Sequence, residues 1–159
     1  MANKNPIIRT INNMSPLDLS YMAGLVDGEG NISLSWVGCV GKQNLHPNIA
    51  IANSNRDVLE WVLIVVGWGG ISTKPRNNPK WKDAYSWRIN GHLAIQFAKA
   101  LLPYLKIKRI QAETLIEFEK TIQLKEFRHK LPPEVRAERE RIKAKMTILN
   151  MRGKNGNTR

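Results

Sequence analysis

The most constraining feature of the sequence is a change of pattern at two glycines, Gly28 and Gly30. Before them, residues 15–18 (SPLD) form a helix start, with a serine N-cap, a proline in the first turn and an acid three residues after the cap. After them, apolar and polar residues alternate through residues 31–37, as in a half-buried strand. The sequence therefore predicts a helix to about Val26, a glycine-rich turn and a strand.

The rest of the chain continues this mixture of helix and strand patterns. Strand-type alternation occurs in residues 47–53, 71–76 and 84–89; helix-type spacing occurs in residues 54–66, 91–102 and 107–126, and a last charged helix begins at Pro132-Pro133 and runs to about Lys145. The order predicts an α+β fold, αββαββα with further helix, in which helices cover one face of an antiparallel sheet. We divide the chain into a polar N-terminal arm (1–14), one domain (15–146) and a basic C-terminal tail (147–159).

Composition narrows the class of protein and its partner. The chain has 159 residues, 42% of them hydrophobic, and a formal net charge of +12. One cysteine excludes a disulfide framework, and three scattered histidines argue against a zinc finger. Without an apolar run of about 18 residues or a signal-peptide core, we expect a soluble intracellular protein with no membrane partner, in a prokaryotic cytoplasm or an organelle.

The acids are unevenly distributed. None occurs in residues 30–53 or 67–82, which carry lysine, arginine and many uncharged polar residues. Nucleic acid is therefore the leading partner, and a generic basic surface is the alternative that composition leaves open.

Residues 22–30, MAGLVDGEG, resemble the signature of the LAGLIDADG homing endonucleases, with glutamate in place of the second aspartate. Residues 87–115 are also similar to this family, notably the PYLKIK run at 103–108. The resemblance covers most of residues 16–125. It implies an endonuclease that cuts both strands of a long, near-palindromic DNA target, is typically encoded in a mobile intron or intein, and binds DNA with a saddle-shaped sheet.

The chain contains one copy of the motif, so the resemblance implies a homodimer with two motif helices at a two-fold axis. Small residues let helix backbones approach closely. The residues expected at this interface are Tyr21, Ala23, Gly24 and Leu25.

Two acids at a helix C-terminus are disfavoured by the helix dipole, which suggests a bound divalent ion. By resemblance, Glu29 is the ligand of Mg²⁺, for which Mn²⁺ can substitute, and the Gly28 carbonyl is a second ligand. Asp27 has a supporting role. The implied reaction is hydrolysis of a phosphodiester bond.

The resemblance places a catalytic-pocket lysine at Lys108, with Lys106 as the alternative. Asn53 occupies the place of a polar, water-organising residue, and a simple helix cap explains it nearly as well. A further basic residue of the family has no clear counterpart, although Arg56 lies near its expected place.

Strand alternation predicts which side chains face DNA. The twisted antiparallel ribbon fits the major groove, where arginine pairs with guanine and asparagine with adenine. Predicted DNA-contacting residues on the strands are Asn31, Ser33, Ser35, Asn48, Ser72, Lys74, Arg76, Ser86 and Arg88, and those in hairpin tips are Lys42, Lys80 and Lys82.

Two other functions remain open. An RNA-binding intron maturase could use the same scaffold, with intron RNA as partner, and a DNA-binding regulator could keep the fold without cleavage. The retained Glu29 and Lys108 favour the endonuclease.

Overall fold

The computed structural model describes residues 11–39, 44–75, 80, 82–122 and 131–151, and five helices and a four-stranded antiparallel sheet have their full bounds within these ranges. The elements are α1 (Pro16–Glu29), β1 (Gly30–Val37), β2 (Asn44–Asn53), α2 (Arg56–Val66), β3 (Gly70–Lys74), β4 (Ala84–Asn90), α3 (His92–Leu101), α4 (Arg109–Glu119) and α5 (Pro133–Leu149). The strands lie in the order β1-β2-β4-β3. This architecture confirms the predicted α+β fold. Among the described residues, no helix combines the length and apolar character needed to cross a membrane.

Helix α1 begins as predicted and ends later. The Ser15 hydroxyl accepts a hydrogen bond from the Asp18 backbone N–H at 3.1 Å. The helix continues past Val26 because its last carbonyls find donors: the Gly30 N–H donates to the Val26 carbonyl, and the Lys108 ammonium donates to the Asp27 carbonyl. Helix α1 therefore passes into β1 without a loop.

The inner face of the sheet packs against the helices. Six of its side chains are at most 1% exposed: Ile32, Leu34, Ile49, Ile51, Trp87 and Ile89. The Trp87 ring meets Phe97 edge to face, with centroids 5.6 Å apart, and its Nε1 donates to the Trp68 carbonyl at 3.1 Å. Gly69 has φ +108°, and a Cβ there would lie 2.4 Å from Trp87 Nε1, so this turn requires glycine.

Several boundaries differ from the predictions. Helix α4 (Arg109–Glu119) begins two residues after the predicted start at residue 107, because the backbone N–H groups of Lys106 and Lys108 are directed to Asp27. Residues 120–122 form a turn, and residues 123–126 of the predicted helix lie outside the described residues. Helix α5 extends beyond residue 146, the predicted domain boundary, to Leu149.

The N-terminal boundary differs as well. Ile11 is fully buried and Met14 is 9% exposed, although both lie in the segment predicted as a polar arm. Ile11 and Met14 therefore belong to the core.

Candidate active site and nucleic-acid interface

Glu29 lies at the junction between α1 and β1. It is the last residue of the helix, its side chain is exposed, and it forms no hydrogen bond or ion pair with any described residue. The junction is tight: a Cβ on Gly30 would come within 2.6 Å of both the Cα and the carbonyl oxygen of Val26. Glycine at residue 30 therefore lets the strand start directly after the helix, which holds the Glu29 carboxylate at a fixed corner of the molecule.

Asp27 has protein partners, in contrast to Glu29. Its Oδ2 accepts a hydrogen bond from the Lys106 backbone N–H at 2.8 Å, and its Oδ1 accepts one from the Lys108 backbone N–H at 2.9 Å. Partial burial opposes ionisation, but the backbone N–H groups of Lys106, Lys108 and Ile107 and the nearby Lys108 charge outweigh it and lower the pKa of Asp27. Asp27 thus ties the segment between α3 and α4 to the end of α1.

Lys108 lies at the same end of α1. Its ammonium donates to the Asp27 carbonyl, where a cation is favoured by the helix dipole. Lys108 is partly buried, whereas Lys106 is exposed and contributes its backbone N–H. The fold therefore brings the ammonium of Lys108 to the turn that carries Glu29, and its catalytic role stays a prediction.

Asn53 ends β2 at the same edge of the sheet, since Gly30 pairs with Ile51 in the β1–β2 ladder. Its Oδ1 accepts a hydrogen bond from the Asn55 backbone N–H at 2.8 Å, in the turn before α2. This contact is of the capping kind, and the water-organising role stays a prediction. Arg56, near the expected place of the family's further basic residue, pairs with Glu60 at 2.7 Å and covers the Tyr85 ring.

The outer face of the sheet forms a polar surface that we call the reading face. Register places its residues in rows: Ala52, Ser86 and Ser72; Asn31, Ala50, Arg88 and Gly70; Ser33, Asn48 and Asn90; Ser35 and His46. The four strands contain no Asp or Glu. The predicted strand residues that the structure describes, including Lys74, therefore lie on one acid-free face.

A hydrogen-bond chain orders part of the reading face. The Ser33 hydroxyl donates to Asn48 Oδ1 at 2.9 Å, Asn48 Nδ2 donates to Ser35 Oγ at 3.2 Å, and Asn31 Nδ2 donates to Ser33 Oγ at 3.4 Å. Asn48 is only 9% exposed. Its amide is thus held mainly by neighbouring serines.

Sequence reasoning missed other residues of this face, including the polar residues His46 and Asn90. His46 lies opposite Ser35, and Asn90 lies opposite Asn48. His46 follows the buried Leu45, and Asn90 follows the buried Ile89. This alternation of buried and exposed residues was the signal that could have identified them. Lys80 and Lys82 are exposed near the start of β4, whereas the predicted Lys42 and Arg76 lie outside the described residues.

The exposed side of α1 carries Leu17, Tyr21, Gly24 and Gly28, which recur at helical spacing. Leu17 is 82% exposed and Tyr21 53% exposed, and a Cβ on Gly24 would meet no atom within 4 Å. Ala23 departs from the prediction because it is fully buried in the core of its own chain and offers no surface to a partner. Leu25 is partly buried.

Comparison with known proteins addresses the fold. No protein-family model matches the sequence, and no curated protein sequence matches it. The homing endonuclease I-CvuI, solved in complex with its target, superposes with a TM-score of 0.70 over 87% of this chain and 85% of its own, at 22% identity. The chain has the LAGLIDADG homing endonuclease fold.

Two other homing endonucleases share this fold. The archaeal intron-encoded I-Vdi141I, solved with DNA, has a TM-score of 0.69 at 20% identity and covers 86% of each chain. The LAGLIDADG homing endonuclease I-SmaMI, solved with cleaved DNA, has a TM-score of 0.66 at 20% identity and matches 84% of this chain and 45% of its own. This chain therefore corresponds to nearly all of I-CvuI and to less than half of I-SmaMI.

The donor set at Glu29 bears on metal binding. I-CvuI was solved in the presence of 2 mM Ca and, with another target, 2 mM Mg. Within the described parts of this homing endonuclease fold, no three His, Cys, Asp or Glu side chains group as a metal site. Mg²⁺ commonly binds one or two carboxylates together with water and phosphate oxygens. One exposed carboxylate, Glu29, next to an acid-free face fits that kind of site.

Proposed function

We propose that the protein is a site-specific endonuclease that cuts double-stranded DNA as a homodimer in the presence of Mg²⁺. The observation that carries the proposal is the position of Glu29, an exposed carboxylate that has no partner among the described residues and lies at the edge of an acid-free reading face. Carboxylates beside a DNA-binding surface repel phosphates unless they hold a cation, so an acid at this corner fits metal-assisted hydrolysis.

DNA binding is supported by charge and by shape. The chain carries a net charge of +12, and a dimer carries twice that charge. Antiparallel strands fit the major groove, where polar side chains reach base edges. Lys80 and Lys82 are exposed and lie just before β4, at one end of the reading face. In this position their ammonium groups are suited to contact DNA phosphates.

Dimer formation is supported by the exposed side of α1. Leu17 and Tyr21 expose apolar surface there, and Gly24 leaves open space in which a second helix backbone can approach. Packing α1 against its copy about a two-fold axis brings two Glu29 carboxylates close together, because Glu29 ends that helix. Each carboxylate then serves one strand of the duplex.

The roles within each copy follow from the contacts at the α1–β1 junction. Mg²⁺, when bound, would supply Lewis-acid chemistry that lowers the pKa of water and neutralises phosphate charge. Glu29 and the Gly28 carbonyl would hold the ion, and Lys108 would offset negative charge that develops on the phosphate. Asp27 is a positioning residue, since it holds the backbone that carries Lys108. Asn53 orients water at the same edge of the sheet.

Selection of cleaved sites from a randomised duplex library tests this proposal. With Mg²⁺, the protein is expected to enrich one long, near-palindromic sequence cut on both strands, and with EDTA it is expected to enrich none by cleavage. Binding of such a sequence without cleavage would instead indicate a DNA-binding regulator. Preferential binding of intron RNA over every duplex would indicate a maturase.

A further inference from the structure

Besides His46 and Lys74, the reading face has two exposed β4 side chains that are available for bases, Arg88 and Asn90. Both are exposed, both lie on the outer side of β4, and neither forms a side-chain hydrogen bond or ion pair with any described residue. Asn48, the other amide in the Asn90 row, is committed to Ser33 and Ser35. Arg88 and Asn90 therefore differ from Asn48, since their side-chain donors are not engaged by described residues.

The surroundings of Arg88 favour contact with a base. Its neighbours across the strands are Ala50 and Gly70, so no long side chain stands beside it on the reading face. The four strands also contain no acid that could pair with the guanidinium. An arginine in such a position can present two parallel N–H groups to the O6 and N7 of guanine.

Asn90 is held in place by the backbone. It pairs with Asn48 in the β2–β4 ladder, and the next residue, Gly91, donates its N–H to the Pro47 carbonyl at 2.9 Å. Its amide has one donor end and one acceptor end, which match the N7 and N6 of adenine.

We propose that Arg88 reads a guanine and Asn90 reads an adenine in each half of the DNA target. This inference rests on the proposed function. Residues two apart on one face of a strand are separated by about 7 Å. This distance corresponds to about two base pairs of 3.4 Å rise. Gly30, which follows Glu29, pairs with Ile51 of β2, whereas Arg88 pairs with Ala50 and Asn90 pairs with Asn48. Arg88 therefore lies nearer to Glu29 than Asn90 does, and the guanine lies nearer the cleavage centre than the adenine.

The test is selection of bound duplexes from a randomised library in EDTA, where cleavage does not consume the sites. The wild-type protein is expected to select a two-fold symmetric site with guanine and adenine about two positions apart in each half. Arg88→Lys keeps the charge but not the bidentate geometry. It should reduce the guanine preference roughly tenfold or more and leave adenine selected. Asn90→Ala should reduce the adenine preference and leave guanine selected.

Lys82→Ala is the matched control, because Lys82 is exposed and lies outside the strands. It should weaken binding to all sequences similarly and reduce the salt dependence by about two counterions, one for each copy in the dimer. Unfolding midpoints equal to that of the wild type are expected for all three variants, since the replaced side chains lie at the surface.

The outcomes separate the inference from the proposed function. A symmetric selected site whose guanine and adenine preferences survive Arg88→Lys and Asn90→Ala, or that lacks this pair, overturns the inference and leaves the endonuclease proposal standing. Enrichment of no sequence by the wild-type protein overturns both.

Discussion

Replacing Asp27 by asparagine removes the charge that ties residues 106–108 to the end of α1. In the wild-type protein, two backbone N–H groups donate to the carboxylate, at 2.8 Å and 2.9 Å. Asparagine keeps one acceptor oxygen but turns an NH₂ group toward the second donor. One hydrogen bond is therefore lost, and the other is made to a neutral amide oxygen instead of a charged carboxylate oxygen.

The magnitude follows from these two contacts. A hydrogen bond to a charged group contributes about 1.5–3 kcal/mol, and a neutral one about 1 kcal/mol. Asp27 is only partly buried, so solvent replaces part of the loss. We expect Asp27→Asn to lower the free energy of unfolding by about 2 kcal/mol at pH 7. With a denaturant dependence (m-value) of about 2 kcal/mol/M, this corresponds to a fall of about 1 M in the urea midpoint.

The pH dependence has a defined sign. Because the pKa of Asp27 is lowered in the folded state, its stabilisation is complete above the unfolded pKa of about 3.9. It disappears as the pH falls through the folded value. Urea unfolding at fixed protein concentration should therefore give a constant difference between wild type and Asp27→Asn from pH 7 to 5, and a shrinking difference below about pH 4.

Glu29→Gln is the matched control, because Glu29 lies two residues away at the end of the same helix and has no described partner. Its free energy of unfolding should stay within about 0.5 kcal/mol of the wild-type value in EDTA. Equal stability of Asp27→Asn and wild type at pH 7 would refute the assignment of Asp27 as the tie. Equal losses in both variants would refute the distinction between the two acids.

Other predictions concern the glycines and the lysine. Gly30→Ala should destabilise the fold by about 1–3 kcal/mol in urea unfolding, because its Cβ would lie 2.6 Å from the Val26 backbone, whereas Gly28→Ala, with open space, should not. Gly24→Leu should leave a folded monomer in sedimentation where the wild type is a dimer; a dimer in both would contradict the α1 interface. Lys108→Gln should slow cleavage by about 10²-fold without weakening DNA binding, and unchanged single-turnover rates would contradict its role.

Much of the fold could be predicted from local patterns. The cap at Ser15 and the first-turn Pro16 identified the start of α1, because capping depends on residues three apart. Alternation around Ile32 and Leu34 identified the buried face of β1, because side chains in a strand have a period of two.

Long-range contacts could not be predicted in this way. Asp27 accepts a hydrogen bond from the Lys106 backbone N–H across 79 residues of sequence, and the Lys108 charge lies nearby. These contacts explain how an acid is accommodated at the helix C-terminus. The burial of Ala23 was also not readable, because α1 has apolar or small residues on its buried and exposed sides alike. Likewise, Asn48 looks like Asn90 in sequence, and only the strand register reveals that its amide is held by serines.

The most direct test of the account is single-turnover cleavage of the selected DNA site by wild-type protein and by Glu29→Gln, with binding measured in parallel. In Mg²⁺, the wild-type protein should cut both strands, and Glu29→Gln should bind the site with similar affinity and cut neither strand. If Glu29→Gln cuts at the wild-type rate, Glu29 does not hold the metal and the proposed active site is wrong.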